Sequence, residues 1–188
     1  MDFDQVLKKR HSVRAYTGRE IPRDVLARIV DAASYAPSSF NEQPWRLYVA
    51  EGDARLKVGE IMARSTVYLE DYMEVLGSEH FDEVSRWYTE LGGCPVVVGL
   101  TVPTSEDDLT ELNRTLAAGA ALEHVLLAAT NEGVASCAIT FSFWLRDDLA
   151  RALGVEEDRV LIALVALGYP AEEPAAPPHS HDVVVYRD

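Results

Sequence analysis

Positive charge is scarce in this chain. Seventeen lysines and arginines stand against 31 aspartates and glutamates, a net charge of −14 over 188 residues. Sequence-independent nucleic-acid binding needs cations that displace phosphate counterions, so this balance argues against it. Cysteine is almost absent. Cys94 and Cys137 lie in apolar surroundings, without Cys-x-x-Cys spacing or clustered histidines. They read as buried reduced thiols rather than a disulfide or a metal site. No apolar run approaches the roughly 20 residues that a membrane-spanning helix needs. No secretory leader opens the chain, because Met1 is followed directly by charged residues. No repeat or low-complexity domain is visible. The expectation is a soluble, cytoplasmic protein, and with 48% apolar residues it is not a disordered one. The length suits one domain with a real core.

Against that acidic background one stretch concentrates cations: Arg10-His11-Ser12-Val13-Arg14. If it ends in extended backbone, Arg10, Ser12 and Arg14 point to the same side, because side chains alternate with period two. Guanidinium groups and a hydroxyl converging from one side make a site for phosphate or another anion. From the pattern alone, two solvated arginines and a turn serine are the better reading, and a second motif changes that weighing. A second stretch is Pro37-Ser38-Ser39-Phe40-Asn41-Glu42-Gln43-Pro44-Trp45. Its amides can read the edge of a ring, and its turn formers suit a helix end and loop.

Taken in order, Asp2 can cap a first helix with Phe3, Val6, Leu7 and Arg10 on one face. Pro22 opens a second, with an apolar stripe through Val25, Leu26, Ile29, Val30 and Ala33 that Pro37 stops. Residues 47–50 form a strand, and a third helix runs through Leu56, Ile61 and Met62. Residues 65–92 show two sets of helical aromatic spacing, Tyr68 with Tyr72 and Trp87 with Tyr88. Trp87 reads as core, while Tyr68 and Tyr72 fit either core or a ligand surface. Residues 95–101 form a buried β-branched strand. Ser105 to Asp108 starts the longest helix, about 109–131, central and rich in Ala and Gly. Glu123-His124 within it reads as structural or interfacial, since adjacent helical residues diverge. A strand over 136–140, a helix over 147–153 and a long apolar strand over 160–167 follow. Residues 171–188 form a Pro-rich tail ending in an extended segment, Val183-Val184-Val185-Tyr186, that needs a pairing partner. The fold class is α+β: a single mixed β-sheet packed with helices and a long central helix, over residues 1–170.

The two stretches together resemble the nitroreductase family of flavin enzymes, whose first segment reads Arg-(Arg/His)-Ser-x-(Arg/Lys) and second Pro-Ser-x-x-Asn-x-Gln-Pro-Trp. The resemblance extends more loosely from residue 2 to about 170. It implies FMN bound at the interface of a homodimer, and NADH or NADPH as electron donor. Arg10, His11, Ser12 and Arg14 would come from one subunit, with Arg10 and Ser12 at the phosphate and Arg14 near the pyrimidine edge. Pro37, Ser38, Ser39 and Asn41 would come from the partner, and Thr140 would lie beside flavin N5. The chemistry would be the flavin's, with no catalytic side chain required. The implied function is reduction of a nitroaromatic, quinone or similar small acceptor.

Three departures stand beside this. Family members commonly carry a glycine pair where this chain has Thr140-Phe141. Their usual Gln-Asn in the long helix is Glu123-His124 here. The tail usually brings Lys or Arg to the phosphate, and here that place reads Pro177-Pro178-His179-Ser180-His181. These departures also suit a family member that binds flavin or another small ligand without turnover. A hydroxyl residue at Thr140 resembles the deiodinase-like reductive dehalogenases.

Overall fold

The computed structural model describes residues 1–72, 80–171, 178 and 183–187. Its helices are α1 (Phe3–Lys9), α2 (Arg23–Asp31), α3 (Gly52–Ala63), α4 (Phe81–Glu90), α5 (Asp108–Asn131) and α6 (Arg146–Leu153). Its strands are β1 (Arg46–Glu51), β2 (Val96–Pro103), β3 (Ala135–Ile139) and β4 (Arg159–Gly168), in the order β1-β2-β4-β3. The α+β class is as the periodicities predict. The ladders between these strands are all antiparallel. The parallel element is an isolated bridge, Ser12 to Ser136, which lays the first motif along β3.

The sheet is the middle of three layers because both faces of its central strands are apolar. In β2 and β4, Val96, Val98, Val165 and Leu167 turn toward Ile29 of α2 and Val125 of α5. Val97, Leu164 and Ala166 turn the other way, toward Val58 and Met62 of α3 and Leu149 of α6. Such two-sided burial is what continuous β-branched and leucine runs specify. Alanines 117, 118, 121 and 129 are buried on α5, and their small side chains let this helix lie close against the sheet and α2.

Caps fall where the side chains predict them. Asp2 accepts from the Gln5 N–H at 2.9 Å, and Asp107 accepts from the Thr110 N–H at 2.8 Å. Each satisfies a helix donor that has no intrahelical acceptor.

Three expectations need adjustment. Of the apolar face on α1, Val6 is buried, but Phe3 and Leu7 stand exposed. The strand expected through Thr140 ends at Ile139, and a tight 3₁₀ turn over Phe141–Leu145 takes over. Residues 64–72 form 3₁₀ turns rather than an α-helix. The expectations for the side chain of Tyr72 and for His179 and His181 fall outside the described residues.

Between Ser12 and Thr17 the chain is bonded from two sides. Val13 N–H donates to Ser136 O at 3.0 Å, Tyr16 N–H to Gly92 O at 2.9 Å, and Thr17 N–H to Tyr169 O at 2.9 Å. Gly92 permits this approach. It has φ +62°, and a Cβ there would stand 2.0 Å from the Arg14 carbonyl oxygen. Gly92→Ala therefore combines backbone strain with a clash against main chain. A loss of more than about 2 kcal/mol is expected, with a melting midpoint lower by about 5 °C or more. Urea and thermal unfolding of the variant check it; wild-type stability would remove this constraint.

Candidate active site

The first motif divides as it leaves α1. Arg10 is the C-cap residue, with its N–H bonded to Val6 O, and its Nε lies 3.0 Å from Glu123 Oε1 on α5. Both ring nitrogens of His11 are buried without a hydrogen-bond partner among the described residues, beside a cleft that also holds Lys9. Ser12 and Arg14 are exposed and Val13 between them is buried, the alternation expected of extended backbone. Arg14 carries the chemistry forward. Its carbonyl accepts from Trp87 Nε1–H at 2.8 Å, and its guanidinium makes no ion pair or hydrogen bond among the described residues.

Arg14 lines a cavity of about 580 Å³ together with Trp87, Tyr88, Cys137, Thr140, Phe141 and Trp144. The walls are mostly rings. Tyr88 stacks on Phe141 at 4.8 Å between centroids, and Trp144 on Tyr68 at 4.9 Å. Rings paired this way hold their planes, which suits a slot for a flat ligand. Thr140 sits at the C-terminal end of β3. Its carbonyl accepts from Phe143 N–H at 3.0 Å, while its hydroxyl has no partner among the described residues. Cys137 forms part of the cavity's base. Burial pushes its thiol up, against the opposing pull of the Arg14 charge and the Ser12 hydroxyl. Burial likewise raises the Tyr88 phenol. Among the described residues no group of histidine, cysteine or carboxylate side chains could hold a metal ion.

The second motif lies elsewhere in the chain. Ser38 Oγ accepts from the Gln43 N–H at 2.9 Å, closing a loop in which Phe40, Asn41 and Gln43 have φ of 51°, 57° and 49°. Arg114 pairs with Glu42 at 2.7 Å, and Arg159 donates to Pro44 O at 2.6 Å. The Asn41 amide has no partner among the described residues. This loop enters the sheet at Arg46 on β1, one edge, whereas Ser12 joins β3, the other edge. The corresponding rows of the ladder place these points three strands and five residues apart. That is roughly 14 Å across and 17 Å along the sheet. Pro37, Ser38, Ser39 and Asn41 line neither the Arg14 cavity nor the His11 cleft.

Several lining residues were not marked by the motifs. Trp87 is half-buried as expected of core, yet it faces the cavity and holds Arg14. Cys137 reads from sequence only as a buried thiol. Phe143 and Trp144 had a visible signal, an aromatic cluster directly after a buried strand.

An arginine held over a slot of stacked rings is suited to a planar ligand that carries or develops negative charge. Comparison with known proteins gives the class: residues 7–169 match the model of the nitroreductase family. The chain belongs to that family. It is 29% identical to nitroreductase NfnB of Mycolicibacterium smegmatis, covering 92% of this chain and 84% of that protein. It is 25% identical to a 4-nitrobenzoate reductase of Nocardioides sp., covering 93% and 83%. Among solved structures, a nitroreductase with bound FMN from Bacteroides fragilis superposes with a TM-score of 0.75 at 25% identity over the whole of both chains. NfnB of sphigopyxis sp. strain HMH, at 22% identity and full coverage of both chains, shares the fold with a TM-score of 0.83.

Burial of both thiols yields a direct test. Cys94 and Cys137 are each 2% exposed and raised by burial, so neither should react quickly with a disulfide reagent at pH 8. Titration should release two thiols in denaturant and almost none from the native protein. Rapid native labelling at Cys137 would mean that the cavity base is open.

Proposed function

We propose that this protein is an FMN-dependent oxidoreductase that takes hydride from NADH or NADPH and reduces nitroaromatic compounds or quinones. The observation that carries the reading is Arg14, a cation with no ion-pair partner among the described residues of a strongly acidic molecule, placed beside a slot of stacked aromatic rings. FMN, when bound, supplies acceptance of the hydride and its delivery to the acceptor. Arg10, Ser12, Arg14 and the main chain at Thr140 would hold it from one subunit, with Arg10 and Ser12 at the phosphate, and Pro37, Ser38, Ser39 and Asn41 would reach it from the partner. The residues present fit that group. The cavity lies within the usual range for a ligand site, and donors with free capacity face it from Arg14 and Thr140.

The residues have separable tasks. Arg14 places fixed positive charge where negative charge develops, so no dipole need reorganise during reaction. Tyr88, Phe141 and Trp144 exclude water and favour a flat, electron-poor acceptor over a bulky one. The free Thr140 hydroxyl also favours a second reading, a deiodinase-like reductive dehalogenase acting in the same cavity.

The protein acts as a homodimer on this reading, because one chain sets the two motifs at opposite corners of its sheet. Leu109, Leu112 and Leu116 form an exposed stripe at helical spacing on α5, and Phe3 and Leu7 are exposed on α1. A second copy covers such apolar surface. Residues 1–170 form the domain, and residues 171–188 a tail in which Val183 to Tyr186 are exposed and belong to none of the described strands. A second subunit offers that segment the strand edge it lacks. Two free thiols fit the reducing conditions of a cytoplasm.

The purified protein should be yellow, bleach anaerobically with NADH or NADPH, and regain its colour on addition of a nitroaromatic. A colourless protein that takes up no FMN would overturn the proposal. Shared sites have their own test. Arg14→Ala subunits exchanged with Ser38→Ala, Asn41→Ala subunits should regain roughly one quarter of wild-type activity, since half the dimers are mixed and each holds one intact site. Absence of recovery after verified exchange would place both motifs in one chain.

A further inference from the structure

Positive charge along the first motif is unevenly available. Arg14, at the ring end, has no ion-pair partner among the described residues. Arg10 has its Nε 3.0 Å from Glu123 Oε1, and both side chains remain open, at 28% and 45% exposure. Lys8 is occupied by Asp4 at 3.6 Å, and the ring nitrogens of His11 are buried within the protein. An anion that approaches Arg10 therefore meets a cation already offset by a carboxylate. It also meets the repulsion of that carboxylate at close range. Glu123 projects from the middle of α5, a helix packed on the sheet through its buried alanines, so the backbone that carries the carboxylate stays beside Arg10.

We infer that Glu123 sets which flavin this protein prefers. It weakens the grip on the phosphate, so that the site holds flavin chiefly by its ring and accepts the uncharged flavin alcohol, riboflavin, nearly as well as FMN. This rests on the proposed placement of Arg10 at the phosphate end. Glu123 is then a specificity-determining residue that acts on one end of the ligand and leaves the other untouched. At a separation of several ångströms and the screening of a half-exposed pair, one like charge changes anion affinity by about tenfold.

A positioning role makes the opposite prediction. If Glu123 merely aimed Arg10 while another face of the guanidinium held phosphate, removing its charge would loosen Arg10 and weaken FMN. Glutamine keeps the length and shape of the side chain, so folding should be preserved.

The experiment is flavin titration of the full-length protein stripped of bound flavin, read by quenching of flavin fluorescence. Wild type should bind FMN and riboflavin within about fivefold of each other. Glu123→Gln should bind FMN about tenfold more tightly and riboflavin within about twofold of wild type. Arg10→Ala should weaken FMN in both backgrounds, because in wild type it leaves Glu123 uncompensated, and more strongly in the Glu123→Gln background, where the guanidinium is free to bind phosphate; a double-mutant cycle measures the difference. Glu60→Gln on α3, which makes the same change in net charge, should alter neither affinity. An unchanged FMN-to-riboflavin ratio in Glu123→Gln, or weaker FMN binding, overturns the inference while leaving the flavin reading standing. Failure of every variant to bind either flavin overturns both.

Discussion

The backbone of residues 12–17 runs between β3 on one side and the turn after α4 on the other, held by main-chain hydrogen bonds to each. Trp87 adds a side-chain bond to the Arg14 carbonyl, and the Tyr16 hydroxyl donates back to Val13 O at 2.6 Å. Val13 and Tyr16 are buried by this arrangement, so Arg14 must face outward. The point from which its side chain leaves the main chain is therefore fixed, while the guanidinium makes no ion pair or hydrogen bond among the described residues.

The same arrangement joins parts of the molecule that are remote in sequence. Trp87 belongs to α4, Ser136 to β3 and Tyr169 to the end of β4, and all three meet the segment that carries Arg14. The cavity wall and the cation above it are thus built as one unit. The wall's rings are held in pairs, the thiol at its base is pushed up by burial, and Arg14, Thr140 and the Tyr88 phenol bring polar groups to the lining. That combination, flat rings with one cation beside them, suits a planar ligand by shape and by charge together.

Much of this was legible in the residues. The β-branched run at 96–98 and the apolar run at 164–167 announce central strands, because only a strand covered on both faces can be apolar at every position. Asp107 and the alanines of α5 likewise mark a capped, closely packed helix. The pairing of Arg10 with Glu123 was not legible. It depends on how α1 crosses α5, and no local pattern carries that information. The turn at Phe141–Leu145 was missed for a different reason: five residues are too few to show a period, and their apolar character fits a strand as well. Residues 64–72 have helical spacing, yet their backbone tightens into 3₁₀ turns where Tyr68 meets Trp144, a tertiary contact overriding a local preference.

The loop from Ser38 to Pro44 holds three non-glycine residues in the left-handed region, each at a cost of the order of 1 kcal/mol or more. Glycine at any of them would relieve that cost, and the sequence uses none. The shape is instead imposed from outside, by Arg114 on Glu42 and by Arg159 on Pro44. A loop already confined in this way has little entropy left to surrender when a ligand arrives. The penalty for ordering the backbone at Ser38, Ser39 and Asn41 is met during folding, so hydrogen bonds that these residues would make to flavin on the proposed reading would lose little to backbone ordering.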